Sequence, residues 1–308
     1  MSTELVDPRA SVRAYLEASS AENTRKAYKS DWADFATWCE GAGKASLPAA
    51  PIDVATYLAQ LADRGLKVST IQRRTAAIRA AHVAAGHEPP TNAEGVKATM
   101  RGIRRTRGAR PNKKKAATAE ILAALLNHFP DTLRGIRDRA IVLLGFAAAL
   151  RRSEIVDLKV NDVERRPKGI LLHIGRSKTD QEGKGAIIPV PAGSKLQPVA
   201  ALSAWLDTSG ITEGPIFRGI DRHGNISPDA ITDRAVADII KKVCAVAGLD
   251  AGAFSGHSLR SGFITSSLDR GEDYFKVMGI SRHKKVDTLR GYDQRESDFD
   301  DHAGGGFL

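Results

Sequence analysis

Apolar residues recur at helical spacing through most of this chain, and runs that read as strands occur in only two short stretches. Tyr28, Trp32, Phe35 and Trp38 share one helical face, which predicts a helix with a buried side. Asn23 is placed to cap it, and Gly41 and Gly43 to end it. Arg25, Lys26 and Lys29 lie on its other side. Pro51 suits the first position of a second helix, with Val54, Tyr57, Leu58 and Leu61 inward. Ser69 is placed to cap a third helix that runs to Gly86 and carries Ile71 and Ile78. A fourth opens at Asn92 and passes through Val96, Met100 and Ile103. Residues 20–104 therefore read as a small helical bundle, with residues 1–19 as a short arm before it.

A second helical pattern starts at Thr118, through Ile121, Leu122, Leu125 and Leu126, and a long apolar helix is expected over 132–149. The stretches 169–174 and 185–190 are rich in Ile, Leu and Val and read as strands. Their connection, Gly175 to Lys184, is polar. Helices are then expected near 196–207, 228–247, 257–269, 272–279 and 283–292. The fold class is mainly α: a helical domain, then a mixed, mostly helical domain over 117–308 with a small antiparallel sheet.

Charge changes this picture at one place. Lys97 to Lys115 contains nine basic residues and no acidic one. Its end, Arg107-Gly108-Ala109-Arg110-Pro111-Asn112-Lys113-Lys114-Lys115, reads as extended because Gly and Pro break helices and like charges repel. Residues 105–116 are therefore expected to link two domains, and Arg105, Arg107, Arg110, Lys113, Lys114 and Lys115 to meet a polyanion. The whole chain carries a formal net charge of +10 over 308 residues, which fits nucleic acid as the partner. Lys67, Ser69, Thr70, Gln72, Arg73 and Arg74 crowd the start of the third helix. Helix N-termini bind phosphate, and Gln and Arg read base edges, so this cluster is a second candidate DNA surface. The two cysteines, Cys39 and Cys244, sit in apolar patterns and read as buried thiols of a reducing cytosol. No membrane span, zinc pattern or carboxylate cluster for magnesium is visible.

The candidate chemistry lies in the second half. Arg151, Lys178, His257, Arg260, His283 and Tyr292 follow one another in that order. Two arginines can fork onto the non-bridging oxygens of one phosphate. A tyrosine can attack phosphorus and hold the product covalently, while lysine and histidine can move protons. His257 and Arg260, three apart on an expected helix, share a face. Glu154, one turn beyond Arg151, can orient it. Arg176 and Lys184 flank Lys178 on the strand connection and can contact phosphate. Arg282 and Lys284 flank His283, so which of these side chains faces a phosphate stays open.

The order and contexts of these residues resemble the tyrosine recombinase, or phage integrase, family. The segment Phe254-Ser255-Gly256-His257-Ser258-Leu259-Arg260 is especially similar to its counterpart there. The resemblance covers roughly residues 20–300. It implies a SAM-like helical core-binding domain and a catalytic domain closing as a clamp on double-stranded DNA. It implies Tyr292 as nucleophile, Lys178 as the acid for the departing 5′ oxygen, and no cofactor. It also implies inverted half-sites, a homo-tetramer on DNA and exchange through a Holliday junction. Resolution of chromosome or plasmid dimers is an alternative duty within the family. A type IB topoisomerase uses similar residues, and a DNA-binding regulator without catalysis is the non-enzymatic alternative.

Overall fold

The structure is a computed structural model that describes residues 22–108, 114–175 and 185–292. The expected arm over 1–19 lies outside them. The chain divides into two compact units, Met1–Asn112 and Lys113–Leu308.

In the first unit, helices α1 (Glu22–Gly41), α2 (Pro51–Asp63), α3 (Val68–Ala84) and α4 (Glu94–Arg107) enclose one core. Phe35, Tyr57, Leu58, Leu61, Ile71, Ile78, Val96, Met100 and Ile103 fill it. The Phe35 and Tyr57 rings meet edge to face at 5.1 Å, an arrangement the ring quadrupoles favour. His82 is wholly buried, and both ring nitrogens are satisfied. Nε2 accepts from the Ala49 amide at 2.9 Å and Nδ1 donates to the Ile78 carbonyl at 2.8 Å.

Three local expectations change. Asn23 lies inside α1 rather than before it. Lys67, not Ser69, precedes the first turn of α3. Helix α4 continues through Arg107, so Arg105 and Arg107, expected in an extended linker, are helical. Gly108, at φ 70°, ends that helix; a positive φ suits glycine there.

The second unit is built around helix α6 (Leu133–Ala147), which follows the short α5 (Ala119–Leu125). Residues Ala140 to Phe146 of α6 are buried without a break. Helix α7 (Arg152–Asp157) comes next, then strands β1 (Val163–Arg166), β2 (Gly169–Ile174) and β3 (Ala186–Pro191). They form an antiparallel sheet in the order β1-β2-β3. Ile170 pairs with Val190 and Leu172 with Ile188, so alternate side chains of β2 and β3 face the core. Helix α8 (Pro198–Ser209), a hairpin of β4 (Arg218–Ile220) and β5 (Ile226–Ala230), and helix α9 (Asp233–Val246) follow. Helices α10 (Ser258–Asp269), α11 (Tyr274–Ser281) and α12 (Val286–Arg290) complete the described fold. Strand β1 and the β4–β5 hairpin were not expected.

Two glycines show how tightly the unit is drawn together. A Cβ on Gly262 of α10 would lie 1.8 Å from the Ala117 carbonyl oxygen, so α10 lies directly against the segment before α5. A Cβ on Gly145 would meet Ile155 Cδ1 at 2.8 Å and Leu259 Cδ1 at 2.9 Å. Helices α6, α7 and α10 therefore converge at Gly145, and the two candidate arginines flank that junction.

Candidate active site

Helix α6 ends at Ala147, and the buried Ala149 turns the chain with φ 46°. Leu150 then donates back to the Gly145 carbonyl at 2.9 Å. This turn sets Arg151 immediately before α7. Glu154 clasps it twice: Oε2 accepts from the Arg151 backbone amide at 2.8 Å, and Oε1 from Arg151 Nη1 at 2.6 Å. The Glu154 side chain is 4% exposed and that of Arg151 15%. Glu154 thus holds both the backbone and the side chain of Arg151.

Arg260 projects from the first turn of α10 and is 1% exposed. Its Nη1 donates to the Ala149 carbonyl at 2.6 Å, and its Nη2 donates to the Ser281 carbonyl. Nη2 also lies 3.3 Å from His283 Nε2. A guanidinium only donates, so Nε2 is the accepting nitrogen of His283. The ring proton is then on Nδ1, which donates to Ser281 Oγ at 2.9 Å. The His283 and Tyr292 rings meet at 4.8 Å with 45° between their planes. Tyr292 packs beside Ile264, Leu268, Val277 and Leu289, and its carbonyl accepts from Thr265 Oγ1 at 3.3 Å.

Arg282 joins this group. Its Nη2 donates to Glu154 Oε2 at 2.6 Å, so the carboxylate bridges Arg151 and Arg282. The sequence held a signal for it, a cation adjoining the candidate His283. Only the left-handed turn at Arg282, φ 58° after α11, decides that its side chain points inward.

The charges are concentrated. Burial, then repulsion by Arg151 and Arg282, lowers the Arg260 pKa to about 9, which leaves it protonated at neutral pH. Burial, then the three guanidiniums of Arg260, Arg151 and Arg282, press His283 down to about 4, so it is neutral. Burial pushes the Glu154 carboxyl up, but Arg282 and Arg151 outweigh it and hold it below its usual range. Three cations and one carboxylate leave this quartet with an excess of positive charge, in surroundings that weaken screening. That is an environment for an anion.

Residues 116–298 match the phage integrase family, and residues 13–88 match its N-terminal SAM-like domain. The chain is 40% identical over 295 residues to an integrase/recombinase xerD homolog of Selenomonas ruminantium, covering 94% of this chain and 86% of that protein. The chain belongs to the phage integrase family. It is a tyrosine recombinase, an enzyme of site-specific recombination that cleaves and rejoins DNA. Recombinase Cre of Escherichia phage P1 is 28% identical, with 88% of this chain and 84% of Cre covered. The fold is similar to that of XerH recombinase in a post-cleavage complex with palindromic difH substrate. The TM-score is 0.59 at 16% identity, covering 79% of this chain and 68% of that one. A lambda integrase dimer bound to a COC′ core site gives a TM-score of 0.56 at 19% identity, covering 81% and 66%.

The remaining candidates of this recombinase distribute unevenly. His257 is exposed at the start of α10, one turn before Arg260. Lys178, Arg176 and Lys184, with Arg110 and Lys113, lie outside the described residues. The Arg152 side chain covers Gly256, where a Cβ would sit 2.0 Å from Arg152 Cδ. In the first unit, Arg25, Lys26 and Lys29 lie on α1, and Lys67 and Ser69 at the start of α3, where Thr70 is half-buried. Arg73 is committed to Asp31, with Nε 2.7 Å from Oδ2 and Nη2 3.0 Å from Oδ1. Arg74 pairs with Asp34 and donates to Tyr57 Oη at 2.7 Å. Gln72, its amide oxygen turned toward α4, accepts from Arg104 Nε and Nη2 at 2.9 Å each. Three members of the cluster thus serve contacts within their own unit. Arg105 is exposed, and Arg107 lies 3.6 Å from Asp63. Lys114 Nζ donates to the Gly252 carbonyl at 2.5 Å, and the Lys115 amide to the Ala253 carbonyl at 2.8 Å. Both therefore begin the second unit. No helix among the described residues is long and apolar enough to cross a membrane.

Proposed function

We propose that strand cleavage proceeds by attack of Tyr292 Oη on a DNA phosphodiester held by Arg151 and Arg260. The new bond joins Oη to phosphorus, and the bond from phosphorus to the 5′ oxygen breaks. As that bond forms the tyrosine proton passes to His257 or to water, and Lys178 gives its ammonium proton to the departing 5′ oxygen, which becomes the hydroxyl. The product is a 3′-phosphotyrosyl strand and a free 5′ hydroxyl. The bond energy is retained, so rejoining is the same step reversed and needs no ATP. His257 contacts the phosphate or the nucleophile beside Arg260.

The observation that carries this reading is the charge of the quartet. A phosphodiester enters with one negative charge and becomes a five-coordinate species with more. Arg282 offsets the charge of Glu154, so Arg151 and Arg260 keep theirs for the phosphate and the site gains interaction as the reaction proceeds. Preorganised cations of that kind are the largest catalytic lever without a metal. His283, neutral with Nε2 toward Arg260, supports that arginine and presents its ring to Tyr292; it is not a cationic proton donor in this arrangement. Inverted half-sites, a tetramer of two dimers and a Holliday junction complete the reading. The palindromic DNA in the XerH complex supports the inverted half-sites; the tetramer and the junction follow from membership of the family.

The test is covalent trapping on a nicked substrate that releases a short fragment after cleavage. Tyr292→Phe, which loses only the hydroxyl, is expected to bind that DNA normally and to form no adduct. A protease-sensitive covalent complex from this variant would assign the nucleophile elsewhere.

A further inference from the structure

We infer that Arg282 is a positioning residue for strand cleavage, holding Arg151 in place through Glu154. This rests on the reading of Arg151 as a phosphate ligand.

The geometry begins with the backbone. Arg282 follows α11 in the left-handed conformation, φ 58° and ψ 37°, where glycine or asparagine is the ordinary choice. The turn reverses the side chain into the protein and leaves it 12% exposed. A surface arginine keeps its head in water; here Nε and Nη1 are buried without a hydrogen-bond partner. Such a desolvated cation is costly unless a charge partner holds it. Burial indeed lowers its pKa, while Glu154 acts the other way. Nη2 meets Glu154 Oε2 at 2.6 Å and lies 3.5 Å from the Ala149 carbonyl that Arg260 also uses.

The consequence concerns how Glu154 is shared. Oε1 takes Arg151 Nη1, and Oε2 takes both the Arg151 amide and Arg282 Nη2. With Arg282 present, the carboxylate is held from two sides and its charge is divided. Arg151 is then fixed in direction without being neutralised by a private counter-ion. Without Arg282 the carboxylate can rotate fully onto Arg151. That both frees the geometry and screens the charge a phosphate needs. The same residue joins the two sides of the site. Its side chain reaches Glu154 beside Arg151, and the next residue along the backbone, His283, carries the ring that meets Tyr292.

The experiment is single-turnover cleavage of the nicked substrate by the full chain, with DNA affinity and thermal midpoint followed for each variant. The variants are Arg282→Met, Arg282→Lys, Arg151→Lys, and the doubles pairing Arg151→Lys with each Arg282 change. Orienting partners of a ligand group cost on the order of 10–100-fold when removed from metal sites. A loss of that order in cleavage rate, at unchanged DNA affinity, is expected for Arg282→Met and Arg282→Lys. Each double variant should cleave no more slowly than Arg151→Lys alone, because the effect passes through Arg151. A role in general stability alone would instead multiply the two losses, and that result overturns the inference. So does a wild-type rate for Arg282→Met. If Arg282→Met does not fold, Arg282→Lys, which keeps the charge, completes the same cycle. Normal cleavage by Arg151→Lys sinks the underlying reading of Arg151; a defective Arg151→Lys with normal Arg282 variants sinks only the positioning role.

Discussion

The Ala149 carbonyl accepts from Arg260 Nη1 at 2.6 Å across 111 residues of sequence. It can do so because Ala149, at φ 46°, turns it out of line with the helix before it. The left-handed conformation costs a residue with a Cβ roughly 1–2 kcal/mol, so the interaction is held at the expense of local strain. Ala149→Gly should relieve the strain and preserve cleavage. Ala149→Val should destabilise the catalytic unit by at least about 1–2 kcal/mol, through the branched Cβ and overpacking of a wholly buried position. Chemical denaturation with cleavage rates for both variants checks this. Equal behaviour of the two would mean the turn is not under strain.

His283 gives a pH dependence of known sign. Its folded pKa is depressed to about 4 from 6.5, so the unfolded chain binds the proton more readily. The stabilisation from burying it neutral is complete above about pH 6.5 and declines as pH falls toward 4. Urea midpoints measured from about pH 7.5 down to about 4.5 should therefore fall less steeply for His283→Gln than for the wild type. Parallel curves would show that His283 is not buried neutral.

Lys178 can be tested chemically. Lys178→Ala should slow cleavage of ordinary DNA. A 5′-bridging phosphorothioate has a leaving group that needs no proton, so it should largely restore this variant and leave Arg151→Ala defective. Rescue of both, or of neither, counts against Lys178 as the acid.

The lysines that begin the second unit carry a prediction about salt. Replacing Lys113, Lys114 and Lys115 with glutamine should weaken binding to target and random DNA alike, since phosphate contacts carry no sequence information. The slope of log affinity against log salt should flatten by up to about 0.9 for each phosphate no longer neutralised. Lys114 already donates to the Gly252 carbonyl, so its share is expected to be the smallest. Titrations at several salt concentrations decide it; an unchanged slope removes the segment from the DNA interface.

Much of the fold is legible because its helices bury one face. Tyr28, Trp32, Phe35 and Trp38 repeat at the helical period, and the first helix forms there. Strands β2 and β3 were visible because an apolar face alternates against the core. Strand β1, with the sequence Val-Glu-Arg-Arg, and the short β4–β5 hairpin lack that pattern. They exist through pairing with neighbours rather than through their own composition. The Asp31 and Asp34 pairs that engage Arg73 and Arg74 join helices 40 or more residues apart, so the cluster read as a DNA surface from its residue types alone.

The sequence by itself determined the reaction class. Arginine, lysine, histidine and tyrosine have fixed chemistry, and their order is that of a family. Tertiary structure decided how those groups act on one another. Glu154 meets Arg282 across 128 residues, and Arg260 meets Ser281 and His283 across more than 20. Whether a guanidinium points to water or into the site depends on a single backbone turn, as at Arg282. Whether His283 is neutral depends on which cations surround it. Both are properties of distance and desolvation, which arise only when remote segments pack together.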